Sequence, residues 1–314
     1  MIVWFVFIGL VLVFLALDLG VFHQKAREIS SKEAGIWTAI WVSISFLFSG
    51  FLFQIYQNGW VANPTHLKPD VASLKFLSGY LIELSLSVDN IFVMAIIFTA
   101  FKIPKKYQHR VLFWGILGAI LFRGLLIGAG VVLLHQLSWM IYVFAGFLIY
   151  TALKMLFQKE EGDFNPKKSI LYRWIRKLFP ITRQLDGDHF WVKRRHIRAA
   201  TPLFVALILI EVMDIVFALD SVPAILSITS DPFLVFTSNI FAILGLRSLY
   251  FFLANMLEKF AYLEYSLIAI LLFVGIKMCV ASFFVMEEWV SLAFIAVSLL
   301  TGILYSLYKT STNN

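Results

Sequence analysis

Glu83-Leu-Ser-Leu-Ser-Val-Asp89-Asn90 and Asp214-Ile-Val-Phe-Ala-Leu-Asp220-Ser221 align without a gap, each with two acids six residues apart in an apolar run. The apolar run after each pair carries one arginine, in Ile116-Leu-Gly-Ala-Ile-Leu-Phe-Arg123 and in Ile240-Phe-Ala-Ile-Leu-Gly-Leu-Arg247. The third run of each series carries a lysine followed by methionine, Lys154-Met155 and Lys277-Met278. Agreement of residue type and order across three consecutive runs predicts an internal repeat.

The surroundings of these pairs are membrane-like. The 314 residues are 61% hydrophobic and 14% charged, with a mean hydropathy of +0.86. A soluble domain cannot hide that much apolar surface, and runs long enough to cross a bilayer recur throughout. The first, Met1 to Val21, has no basic leading region or small-residue cleavage site, so it reads as a retained helix. An all-α, polytopic membrane protein is predicted. About nine transmembrane helices fall at 2–22, 34–53, 75–100, 111–134, 139–157, 201–228, 233–254, 264–284 and 289–308. The chain forms a single transmembrane domain over 1–314, with repeat one at 75–157 and repeat two at 200–284. Three spans per repeat turn the second copy upside down, the inverted plan of many transporters.

Charge sets the orientation. Eleven of the 26 basic residues lie between Lys159 and Arg198, so the net charge of +7 belongs to a basic loop at 158–199 and not to a nucleic-acid surface. Lys25, Arg27, Lys32, Lys102, Lys105, Lys106 and Arg110 fall on the same side as that loop, while the 54–74 loop carries only Lys68. The positive-inside rule then puts the N-terminus outside and the C-terminus in the cytoplasm. Trp4, Trp60, Trp139 and Trp289 fall near the outer interface. Tyr172-Arg-Trp-Ile-Arg-Lys-Leu-Phe179 alternates basic and apolar residues, the pattern of a surface-lying helix or of a plain basic linker. The one cysteine, Cys279, excludes a disulfide framework and a thiolate zinc site within one chain.

Six acids fall inside predicted spans: Asp18, Glu83, Asp89, Glu211, Asp214 and Asp220. Four bases do too: Arg123, Lys154, Arg247 and Lys277. Each costs on the order of 3 kcal/mol at the bilayer centre unless it faces a counter-charge, water or an ion. Full ionisation leaves a surplus of two negative charges, which one divalent cation would neutralise. Six residues advance about 9 Å and turn about 240° along a helix, so paired acids either face different neighbours or flank a break. Pro223 frees the carbonyl of Leu219, and Ser85, Ser87, Asn90 and Ser221 offer further oxygens. Antiparallel packing of spans three and six would set Glu83 level with Asp220, and Asp89 with Asp214, as two stacked pairs. Such oxygen donors suit Mn2+, Mg2+ or Ca2+. None of the six histidines falls deep in a span, which argues against zinc or copper. Met94 and Met213 lie near the acids, although such methionines usually fill cores. Arg123, Arg247 and Lys277 read as counter-charges. Asp18 reads equally as orienting a helix end, and Lys154 as snorkelling to the surface. No nucleophile with a base partner and no nucleotide motif is present, so neither an enzyme nor a prosthetic group is expected.

These residues resemble a family. Ala200-Thr-Pro-Leu-Phe204, the run Glu211 to Ala224, Asp231-Pro-Phe and Phe236-Thr-Ser-Asn to Tyr250 look like the TerC family, in its Alx branch. Asp18-Leu-Gly-Val-Phe22, Glu83 to Asn90 and Asp186-Gly-Asp188 are similar to it as well, and the likeness covers nearly the whole chain. It implies an inner-membrane Mn2+ exporter in a family named for tellurite resistance, with functional acids at Glu83, Asp89, Glu211, Asp214 and Asp220. Lys193-Arg-Arg-His-Ile197 is the stretch that matches least.

Three functions are weighed. The first is a divalent cation exporter, with Mn2+ as cargo and H+ as a counter-ion. The second is a membrane scaffold or insertion partner that docks proteins on its basic loop. The third is direct handling of tellurite oxyanions, which a core richer in acids than bases disfavours. The expected partners are a divalent metal ion and the lipid bilayer, with no nucleic acid; the sequence names no protein partner.

Overall fold

A computed structural model describes residues 2–22, 30–63, 66–137, 139–157, 166–182, 184–194, 197–254, 263–280 and 286–312; the side chains of Asp18 and Asp89 lie outside the described set. Ten helices run in the order α1 (Ile2–Phe22), α2 (Ser31–Gln57), α3 (Pro69–Ala100), α4 (Lys105–Gln136), α5 (Met140–Phe157), α6 (Ile170–Leu178), α7 (Pro202–Leu226), α8 (Pro232–Leu253), α9 (Leu263–Val280) and α10 (Glu288–Thr312). Among the described residues seven of them, α2, α3, α4, α5, α7, α8 and α10, are long and apolar enough to cross a membrane. Helices α1 and α9 stand at the other two predicted ranges.

Local chemistry sets the helix ends. Ser30 accepts a hydrogen bond from the Glu33 amide, the start of a capping box. Asp231 accepts from the amides of Phe233 and Leu234, and Pro232 occupies the first turn, where no amide is needed. Pro69 and Pro202 open α3 and α7 in the same way. With 32 residues each, α3 and α4 extend about 48 Å at 1.5 Å per residue. That exceeds the hydrocarbon core of about 30 Å, so they begin six residues ahead of the predicted spans at 75 and 111. Hydropathy marks the lipid-embedded part; the caps mark the helix.

The packing alternates direction. Phe98 and Phe101, at the end of α3, cluster with Leu203 and Val205 at the start of α7. At the opposite end, Gly79 of α3 sits against Ser238 of α8 and Ile225 of α7. Helices α3 and α7 are therefore antiparallel. So are α4 and α8, joined at one end by Tyr250 donating to Gln108 at 3.0 Å and further along by Arg123 beside Asn239. Both α3 and α4 pack on both α7 and α8, and α5 packs on α9. Exchanging α3, α4 and α5 for α7, α8 and α9 leaves that pattern unchanged. Helix α8 is the buried centre, with α2 packed across it and α3.

The segment before α7 departs from the all-α reading. It holds α6 and a two-stranded hairpin, β1 (Trp191–Arg194) and β2 (Ile197–Ala200), with Trp191 opposite Ala200. The hairpin docks on the bundle: Thr201 donates to the His189 carbonyl at 2.7 Å, and Arg110 of α4 reaches Asp188 at 2.5 Å. Partial burial pushes the Asp188 carboxyl up, but the hydrogen bond and charge of Arg110 outweigh it and hold it below its ordinary value.

Candidate cation site between α3, α4, α7 and α8

Arg123 of α4 organises the site. Its guanidinium forks onto Asp214 of α7, with Nη2 donating to Oδ1 at 2.7 Å and Nε to Oδ2 at 3.1 Å. Its Nη1 contacts Oε1 of Glu83 on α3 and lies 3.4 Å from Oδ1 of Asn239 on α8. Asn90 of α3 donates its amide to Asp214 at 3.3 Å. All four helices thus meet at one guanidinium. Arg123 is 1%, Glu83 0% and Asp214 5% exposed, so two acids share one cation almost out of reach of solvent. Such burial is sustainable only through paired and hydrogen-bonded charge.

Acceptor oxygens remain over. Among the described residues Glu83 Oε2, Asn90 Oδ1 and Glu211 Oε2 are buried without a hydrogen-bond donor. Leaving such an oxygen unmatched costs about 1–3 kcal/mol. Glu211 stands one turn before Asp214 on α7, feels its charge, and lays its carboxyl against Gly118 of α4, where a Cβ would overlap it. Arg247, 1% exposed, lines a small cavity with Asp214 and Met94.

The other predicted residues lie elsewhere. Asp220 accepts from Thr151 of α5 at 3.0 Å and feels the charge of Lys154, which is itself exposed. Because α7 is continuous through Pro223, Asp214 and Asp220 point to different neighbours rather than flanking a break. The register of α3 on α7 sets Glu83 level with Asp220, but Asp220 turns to α5, so the two carboxyls do not pair, and Glu83 instead shares Arg123 with Asp214. Ser221 is buried beside Asp220, its hydroxyl without a hydrogen-bond partner among the described residues. Lys277 donates to Ser291 of α10 at 2.8 Å. The side chains of Asp89 and Asp18 lie outside the described residues. Among those described, no three His, Cys, Asp or Glu side chains converge as a ready metal cage.

Sequence reasoning missed Asn239, Gly118 and Thr151. Asn239 had a signal: it is a polar residue two turns before Arg247 in an otherwise apolar run, and so lies near the arginine's face. Gly118 and Thr151 carry no such mark; their roles appear only once α4 and α5 are set against α7.

Comparisons with known proteins place the chain among integral membrane proteins. The model of the "Integral membrane protein TerC family" matches residues 70–314. A membrane protein of Myxococcus xanthus is 50% identical over 98% of this chain and 92% of its own length. One of Rickettsia bellii is 42% identical over 98% of this chain and 97% of its own. A proposed membrane-bound redox modulator of Escherichia coli, Alx, is 42% identical over 92% of this chain and 89% of its own. No solved structure matches. With a family match across most of its length and relatives this similar over nearly all of it, the chain belongs to the TerC family of integral membrane proteins.

Proposed function

We propose that the protein carries Mn2+ out of the cytoplasm across the bacterial inner membrane, through the carboxylates gathered at Arg123. The observation that carries this reading is the pair Glu83 and Asp214, drawn from opposed helices onto one buried guanidinium, with acceptor oxygens to spare. Oxygen donors of this kind suit a hard divalent cation. The reading takes all nine apolar helices as spans and the two triplets α3–α5 and α7–α9 as an inverted repeat, with the N-terminus outside. The exchange symmetry of the packing supports it.

On this reading the cation competes with Arg123 for the two acids. When it binds, the guanidinium withdraws toward Asn239; when it leaves, the guanidinium returns, and the membrane interior never holds two bare carboxylates. Protons taken up by carboxylates such as Glu211 would serve the same end. Asp220 on α7 faces α5 further along the path, and Asp89 is taken as its counterpart in the first repeat. An oxyanion such as tellurite suits the site less, because one guanidinium there already faces two carboxylates. The name of the Alx relatives fits as an indirect effect, since a manganese exporter sets the level of a redox-active metal. Inverted vesicles loaded by the wild-type protein should accumulate radioactive Mn2+, and vesicles with Glu83→Gln or Asp214→Asn should not. Equal accumulation in wild-type and protein-free vesicles would remove the proposal.

A further inference from the structure

Helix α6 has an apolar arc wider than its contact with the bundle. Leu171, Tyr172 and Ile175 pack into the cluster of Phe101, Ile103 and Leu203, where α3 has ended and α7 begins. Tyr172 lies 5.7 Å from the Phe101 ring. Next to this contact Ile170, Trp174 and Leu178 are 66%, 65% and 68% exposed. Four-residue spacing makes them one stripe, and the anchoring of Ile175 fixes which way it points. Arg173, Arg176 and Lys177 are exposed on the remaining face.

A second patch lies on another element. Trp191 of β1 sits 4.4 Å from Phe204 in the first turn of α7, and Phe179 packs edge-on against both rings. Trp191 and Phe179 remain 40% and 37% exposed. The first turn of α7 is where the chain enters its apolar span, so this aromatic patch stands at the membrane boundary. Aromatic rings with one apolar and one wet side favour that depth.

We propose that α6, with the Phe179 and Trp191 rings, is an interfacial anchor for an anionic lipid leaflet. Ile170, Trp174 and Leu178 enter the acyl region just below the headgroups, while Arg173, Arg176 and Lys177 meet lipid phosphates. The charge of the flanking residues matches an anionic surface, and the stripe is continuous with a bundle already bounded by lipid. A protein partner would need to cover the stripe from the same side and compete with the bilayer for it. The anchor ties the connection between the two halves to the membrane plane, and it stands whether or not the chain carries Mn2+.

The test uses the full-length protein with Cys279→Ser, carrying a nitroxide at Ile170→Cys, Trp174→Cys, Arg173→Cys or Lys177→Cys, in phosphatidylcholine vesicles with and without a third of phosphatidylglycerol. Collisions with oxygen should exceed those with a water-soluble nickel chelate several-fold at 170 and 174, and the order should reverse at 173 and 177. The contrast should grow in the anionic vesicles. A mobile, nickel-accessible label at 174 would overturn the proposal, as would one shielded from both reagents by protein. Should a labelled variant fail to fold, quenching by brominated lipids gives the same answer. Trp174→Phe should remove a strongly quenched component of the fluorescence, and an unchanged quenching curve would count against the anchor.

Discussion

At the scale of single residues, Arg123 is the group on which the site turns. Removing one partner of a buried ion pair typically costs about 3–5 kcal/mol, because the other charge is left unmatched. Arg123→Gln should therefore unfold at lower temperature than wild type in detergent when metal is withheld. If the guanidinium competes with the cation, the same variant should bind Mn2+ more tightly and recover more stability from it, yet export more slowly. Calorimetric titration and vesicle flux read these separately; weaker binding together with lost stability would make Arg123 a structural tie only. Gly118 supplies a second prediction. A Cβ there would overlap the Glu211 carboxyl, so Gly118→Ala should slow export as much as Glu211→Gln does. The double variant should be no slower than either one, because both changes remove the same placement.

At the scale of elements, the helices themselves were legible. Hydropathy located a helix for each of the nine expected ranges, since an apolar run in a bilayer must close its own backbone hydrogen bonds. The ends were less legible, because Pro69 and Lys105 extend helices beyond the apolar stretch. The hairpin of β1 and β2 was not, as four-residue strands rest on their docking to Ile181 and α7. The three acids on α7 and the counter-charge Arg123 were recognised, but not which meets which: whether α7 breaks at Pro223, and which face α4 turns to Asp214, depend on neighbours the sequence does not rank. Crosslinking tests the placement. In a Cys279→Ser background, cysteines at 123 and 214 should be joined by a short bifunctional reagent more readily than cysteines at 123 and 220. The reverse preference would turn Arg123 toward Asp220 and break the site at the guanidinium.

The docked hairpin has its own pH dependence. The folded Asp188 carboxyl lies below its ordinary value of 3.8, held there by Arg110. A depressed acid contributes stability above its unfolded pKa and loses it as pH falls through the folded one. At neutral pH the bond is thus fully present, and being partly exposed it contributes about 0.2–1 kcal/mol. Asp188→Asn should mimic the acid limit: trypsin should cut within 180–200 somewhat faster, with Mn2+ flux unchanged. Loss of flux would tie the hairpin to the transport path.

At the scale of the whole molecule, the exchange of α3, α4 and α5 for α7, α8 and α9 has a mechanical consequence. Each half supplies one acid to the same guanidinium: Glu83 from α3 in the first half and Asp214 from α7 in the second. Because Arg123 shares its half with Glu83, rocking one half against the other would stretch the fork between Arg123 and Asp214. On the proposed reading of an inverted repeat, the ion-pair energy and the orientation of the site would be coupled, as alternating access requires. Two consequences are measurable in cells. Reporter fusions should place 158–199 in the cytoplasm and 54–74 outside, since the inverted arrangement needs α3 and α7 to enter from opposite sides. Cells lacking the protein should then hold more Mn2+ and grow worse when it is in excess, and Arg123→Gln should fail to restore growth although it reaches the membrane. Unchanged Mn2+ content with mislocalised membrane proteins would instead assign the bundle to scaffolding, where the buried acids serve only to hold α3, α4 and α7 together.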